Sequence, residues 1–131
     1  MSPHPVPPPV LAFVADHLRS LEELQLLIAV IQSPDRWWDA TTAARELGIT
    51  ATVARRGLDH LAASNLLDIR ITGDVRYQFC PGTGELRGAA LATEEAYRLN
   101  PLGVVQLVAG TTRRGLRDFA DAFRIRRDDD R

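Results

Sequence analysis

A mainly α-helical domain carrying one small β-hairpin is the fold class this sequence predicts, on three observations. Apolar residues recur at helical spacing in several segments that begin at capping residues. Two short stretches alternate apolar and polar side chains on either side of a Gly-Asp pair. Aromatic residues make up only 6% of the chain against 45% apolar overall, so the core is built from Leu, Ile, Val and Ala, which suits packed helices.

The 131 residues are enough for one domain with short additions. Residues 1–9 hold five prolines and read as an extended arm. From residue 10 to 18 the pattern turns helical, with Val10, Phe13, Val14 and Leu18 on one face. Ser20 then caps a second helix, and Glu23 three residues on completes a capping box. That helix, LEELQLLIAVI, is apolar almost all round in its second half and must be covered on several sides; Pro34 ends it. Asp39 caps a short helix to Leu47, closed by Gly48 in a left-handed conformation. Thr50 caps the next, which runs to about Ser64, with Asn65 in the left-handed position after it. LLDIRI and VRYQF follow as a hairpin about Thr72, Gly73 and Asp74. Beyond the loop CPGTGE a helix is expected from about Leu86 to Leu99. Asn100-Pro101 either kinks it or caps a new helix. Residues 102–109 read as helix, with paired valines that leave strand open. A last amphipathic helix groups Leu116, Phe119, Ala120 and Phe123 ahead of the charged tail RIRRDDDR. The organisation is thus a Pro-rich arm (1–9), an N-terminal helix plus the helix-turn-helix and hairpin (10–79), a helical extension (80–124) and a tail (125–131).

Helix, short helix, turn, helix, hairpin is the order of a winged helix-turn-helix. The packing residues agree with it. Ala44, four before Gly48, lets the two helices of the motif approach, and Ala54, Leu58 and Leu61 form the inner stripe of the second. The stretch WWDATTAARELGITATVARRGLDHLAASNLL resembles the helix-turn-helix of bacterial winged-helix regulators of the MarR and GntR type; the resemblance covers about residues 37 to 79. The chain also resembles, over nearly its full length, a group of short bacterial winged-helix proteins through FVADHLRSLEELQLL, SPDRWW and LRDFADAFRIR, departing from them at Asn100-Pro101. The second resemblance supports the domain plan and implies no activity.

A winged helix used in the usual way inserts the helix after the turn into the major groove. The outward side of that helix carries Thr50, Thr52, Arg55, Arg56 and Asp59. Arginine offers a fork to guanine, and threonine meets phosphate or a thymine methyl. Arg70 and Arg76 on the polar face of the hairpin are placed for backbone phosphates. The DNA-binding candidates are therefore Thr50, Thr52, Arg55, Arg56, Arg70 and Arg76. Against them stands the charge. The formal net charge is -1, and the stretch 36–79 has six Arg against five acids, a thin excess for a phosphate binder. All 16 basic residues are arginine; this reads as genome composition and dilutes the meaning of any one of them.

Other chemistry finds no pattern. Cys80 is the one cysteine, so no internal disulfide or multi-cysteine metal site forms. His4, His17 and His60 are far apart and lack ligand spacing; a solvated imidazole is expected at His60. Gly82–Gly88 opens a helix after a strand, as phosphate loops do, but has neither the Lys-Thr ending nor the βαβ context. No cofactor, metal or catalytic set is predicted, and no enzyme is recognised. Trp37 and Trp38, being adjacent, cannot both face inward; one packs at the base of the hairpin and the other is partly exposed. No apolar run reaches the ~18 residues that would span a bilayer, and MSPHPVPPPV lacks the basic start of a signal peptide, which together predict a cytoplasmic protein. The expected function is a DNA-binding transcriptional regulator. The alternative is a winged-helix module that binds a protein and never touches DNA. A homodimer is expected from apolar surface outside the motif, at Val10, Phe13 and Val14 and at Leu102, Val105, Leu107 and Val108, unless these cover one another within one chain.

Overall fold

A computed structural model describes residues 5–110. In chain order these form α1 (Pro8–His17), α2 (Leu21–Gln32), α3 (Ala40–Leu47), α4 (Ala51–Ala63), β1 (Leu67–Ile71), β2 (Val75–Phe79) and α5 (Gly84–Leu99), followed by α6 over residues 101–110. The result is mainly α with a two-stranded antiparallel hairpin, consistent with a winged-helix arrangement. The amphipathic segment with Leu116, Phe119, Ala120 and Phe123, and the charged tail, lie outside the described residues.

Local signals place the ends. Ser20, Asp39, Thr50 and Thr83 each accept a hydrogen bond from the backbone N–H three residues on, which satisfies one of the orphan donors of a helix start. Gly48 at φ 70° closes α3, and Asn65 at φ 67° turns the chain out of α4. Asn100 does two jobs: its N–H donates to Ala96 O at the end of α5, and its Oδ1 accepts from Gly103 N–H at 3.0 Å to start α6. Residues 101–110 are thus helix, with Pro101 at the first position, where its missing N–H costs nothing. Two boundaries differ from expectation. α1 begins at Pro8, inside the Pro-rich stretch, because Pro8 and Pro9 occupy first-turn positions that tolerate proline. α5 begins at Gly84, because Thr83 provides the cap.

The core forms around α2. Leu24, Leu26, Leu27, Ile28, Val30 and Ile31 are all buried, and the helix packs on α3, α4, α5 and β2. Gly57 permits the approach of α4: a Cβ there would lie 2.4 Å from Leu26 Cδ1. α1 packs on α5, and Val10, Phe13 and Val14 are buried within the chain, as are Val104 and Val108. The spare apolar surface expected at Val10, Phe13 and Val14 is therefore not spare, since α5 covers it. Of the second group Leu102 is exposed as expected, and Val105 and Leu107 are half-buried; the other exposed large apolar side chains outside residues 37–79 are Leu11, Leu21, Leu91 and Leu99.

The hairpin pairs Leu67 with Phe79, Ile69 with Tyr77, Arg70 with Arg76 and Ile71 with Val75. Trp38 joins on the free side of β2: its N–H and C=O exchange hydrogen bonds with Tyr77, both at 2.7 Å. Trp38 is buried and Trp37 half-buried, so the two indoles divide as adjacency requires. Alternation gives the face of each hairpin residue but not its depth. Leu67, Tyr77 and Phe79 are buried, whereas Ile69 and Ile71 on the same face are 43% and 74% exposed; β1 is the outer strand, while β2 lies between it and Trp38.

Candidate nucleic-acid interface

At about 100° per residue along α4, Ala54, Gly57, Leu58 and Leu61 turn inward and are buried. Thr52, Arg55, Arg56, Asp59 and Ala63 fall within one outward sector about 100° wide, with Thr52 and Asp59 near its middle. The two arginines stand at opposite edges of it. Arg55 leans to the hairpin side and Arg56 to the α2 side.

Their surroundings differ accordingly. Arg55 Nε donates to Asp59 Oδ2 at 3.1 Å, one helical turn on. Asp59 Oδ1 in turn accepts a hydrogen bond from the Tyr77 hydroxyl of β2. Tyr77 is completely buried. Burial, reinforced by the hydrogen bond to Asp59 and by that carboxylate's charge, pushes its phenol up to about 12. Arg56 is exposed and makes no ion pair with any described residue; it lines a shallow cleft with Arg19, Ser20, Glu22, Glu23, Val53 and Gly57 at the start of α2.

Behind that cleft Glu23 is buried. Its Oε1 accepts from Arg19 N–H at 2.9 Å and meets His60 Nδ1 at 3.0 Å, and its Oε2 pairs with the Arg19 guanidinium at 3.2 Å. This corrects two expectations. The reach-back of the capping box ends on Arg19 N–H, one residue before Ser20, and His60 is a buried-carboxylate partner with a side chain only 20% exposed, where a solvated imidazole was expected. The packing of α4 on α2 brings the imidazole to the carboxylate.

The remaining candidates sit on the flanks. Thr50 Oγ1 accepts from Val53 N–H at 3.2 Å, which leaves its O–H as a donor for an outside acceptor. On the hairpin Arg70 and Arg76 are register partners, an arrangement that like charges disfavour. Each is compensated separately: Arg76 Nε donates to Asp74 Oδ2 at 3.0 Å, and the Arg70 guanidinium lies 5.3 Å from the Trp37 ring centroid. Gln78 Nε2 donates to Asp35 O at 2.9 Å and ties this face to the loop before α3. The six candidates therefore occupy three places: the α4 start and outward face (Thr50, Thr52, Arg55), its α2 edge (Arg56) and the polar face of the hairpin (Arg70, Arg76).

Sequence reasoning missed the part played by Asp59 and Tyr77. The spacing of Arg55 and Asp59 is that of a helical ion pair and was a readable signal; the junction to Tyr77 spans 18 residues and was not. It also passed over Arg45, which is exposed on α3 and forms no ion pair with a described residue. Among the described residues there is no cluster of His, Cys, Asp or Glu able to hold a metal ion, and no helix long and apolar enough to cross a membrane. Cys80 is exposed.

Comparison with family models, curated proteins and solved structures gave no match.

Proposed function

We propose that this protein is a winged helix-turn-helix transcriptional regulator of the MarR and GntR kind that binds double-stranded DNA in the cytoplasm through α4 and the hairpin. The observation that carries the reading is the division of the arginines about the helix after the turn. Arg55 and Arg56 border its outward face, and the hairpin adds a cross-strand Arg70–Arg76 pair that offers two guanidinium groups to backbone phosphate. Reader and phosphate contacts are thus available on adjoining elements, as groove recognition requires. The function is one of binding, with no catalytic residue or cofactor assigned.

A homodimer completes the proposal. One α4 with a compensated charge is a weak binder, and two of them double the phosphate contacts. Leu91, Leu99 and Leu102 on α5 and α6 are exposed, Leu102 by 65%, and offer an isologous contact outside the motif.

Selection from random duplex DNA, followed by titration of the wild type and the Arg55→Ala/Arg56→Ala variant at two salt concentrations, tests this. Enrichment of a palindromic site that the double variant no longer binds is the expected result. No enrichment, with weak binding that survives the substitutions, refutes it. One specific observation favours a second reading, a protein-binding module: Asp59 stands near the middle of the outward face of α4, while Ile69 and Ile71 expose apolar surface on the hairpin.

A further inference from the structure

We infer that Asp59 and Tyr77 form a positioning device that fixes the Arg55 guanidinium for reading a guanine, so that Arg55 supplies sequence discrimination while Arg56 supplies general attraction to phosphate. The inference rests on the DNA-binding reading and assigns different work to two adjacent arginines.

The geometry runs from the core outward. Tyr77 is immobilised by main-chain hydrogen bonds to Trp38 on one side, by pairing with β1 on the other, and by complete burial. Its hydroxyl donates to Asp59 Oδ1, which holds the carboxylate from behind. Asp59 Oδ2 then accepts from Arg55 Nε at 3.1 Å. This hydrogen bond uses the side edge of the guanidinium. The guanidinium also neighbours the Tyr77 hydroxyl; Nη1 and Nη2, the end-on fork that matches guanine O6 and N7, form no ion pair with a carboxylate among the described residues. A long arginine side chain ordinarily loses rotamer freedom when it binds; one already fixed by a carboxylate loses less.

The same carboxylate cancels the charge of Arg55. An arginine paired in this way releases few counterions from DNA, so it adds little to non-specific affinity or to its salt dependence. Arg56 has no such partner and keeps its full charge. Asp59 near the middle of the outward face, which otherwise counts against a DNA-binding helix, acquires a use on this reading.

The test measures binding to three duplexes: the selected site, the same site with its guanines replaced one at a time, and random sequence. Each is titrated at two salt concentrations with the wild type, Arg55→Ala, Arg56→Ala, Asp59→Asn, Tyr77→Phe and the Asp59→Asn/Tyr77→Phe double variant. One guanine should be preferred by the wild type roughly 10-fold or more, and Arg55→Ala should erase that preference while leaving the salt slope nearly unchanged. Arg56→Ala should weaken binding to all duplexes alike and reduce the salt slope by about 1. Tyr77→Phe and Asp59→Asn should each reduce the preference to about 3-fold or less. The double variant should be no worse than Asp59→Asn, because the two residues act in series. Asp59→Asn should also raise affinity for random sequence. If Asp59 is only a repulsive charge, Asp59→Asn raises affinity for every duplex with the guanine preference intact, and the inference fails. If Tyr77 is only structural, Tyr77→Phe lowers affinity for all sequences in parallel, and it fails again. Should Tyr77→Phe not fold, Asp59→Asn alone decides. A wild type that enriches no site overturns the DNA-binding reading and this inference together. A wild type with a clear site whose preference both variants leave unmoved overturns the inference alone.

Discussion

Removing one oxygen atom, in Tyr77→Phe, tests how α4 and the hairpin are joined. The ring is fully buried and its hydroxyl donates to the Asp59 carboxylate. Hydrogen bonds to charged groups contribute about 1.5–3 kcal/mol. The Asp59 side chain is 49% exposed, so water replaces part of what the carboxylate loses, and a cost near 1.5 kcal/mol is expected. The pH dependence supplies a second signature. The Tyr77 phenol is held at about 12, above its ordinary 10.0. The folded state therefore disfavours the tyrosinate, and the stability due to Tyr77 is complete below pH 10. It declines as pH rises from 10 towards 12, where the unfolded chain ionises first. Urea denaturation of both proteins from pH 7 to 11 measures this: the wild type should be the more stable by 1–2 kcal/mol at pH 7, and the gap should narrow above pH 10. Equal stability at pH 7, or a gap constant to pH 11, refutes the reasoning.

Four further outcomes follow from single contacts. Asp39→Ala removes the N-cap of α3 and should cost about 1 kcal/mol at neutral pH in chemical denaturation. The hydrogen bond from the Thr42 side chain is the chief cause that holds the Asp39 carboxyl below its ordinary 3.8. Its contribution is thus full above that value and disappears as pH falls through the lower folded pKa, where wild type and variant should converge. Asn65→Ala forces an alanine to φ 67° and should cost about 1–2 kcal/mol by the same assay, whereas Asn65→Gly at this position should not. Leu61→Ala opens a cavity at a side chain with no exposure; a loss of about 2–5 kcal/mol is expected, read as a lowered urea midpoint. Leu99→Glu with Leu102→Glu should convert a dimer in sedimentation equilibrium into a 14.5 kDa monomer while leaving the circular-dichroism spectrum unchanged.

What the sequence by itself determined was most of the helix starts and stops, which depend on neighbours three or four residues apart. Ser20, Asp39 and Thr50 cap their helices, and Gly48 and Asn65 take left-handed conformations, because each bond closes within a single turn of chain; at Asn100-Pro101 the sequence left a kink and a new cap open, and the structure shows the cap. The order of elements followed from these stops and starts, and so did the placing of Thr52, Arg55 and Arg56 on the outward side of α4. Tertiary structure decided how each element is rotated against the others. That rotation brings Tyr77 to Asp59 and His60 to Glu23, and it gives Arg55 and Arg56 different neighbours. It also buries Val10, Phe13 and Val14 against α5, while the outer position of β1 leaves Ile69 and Ile71 in solvent. Periodicity specifies which side of an element is apolar. How far along its length that side stays covered depends on where the neighbouring elements end, and a one-dimensional pattern does not contain that.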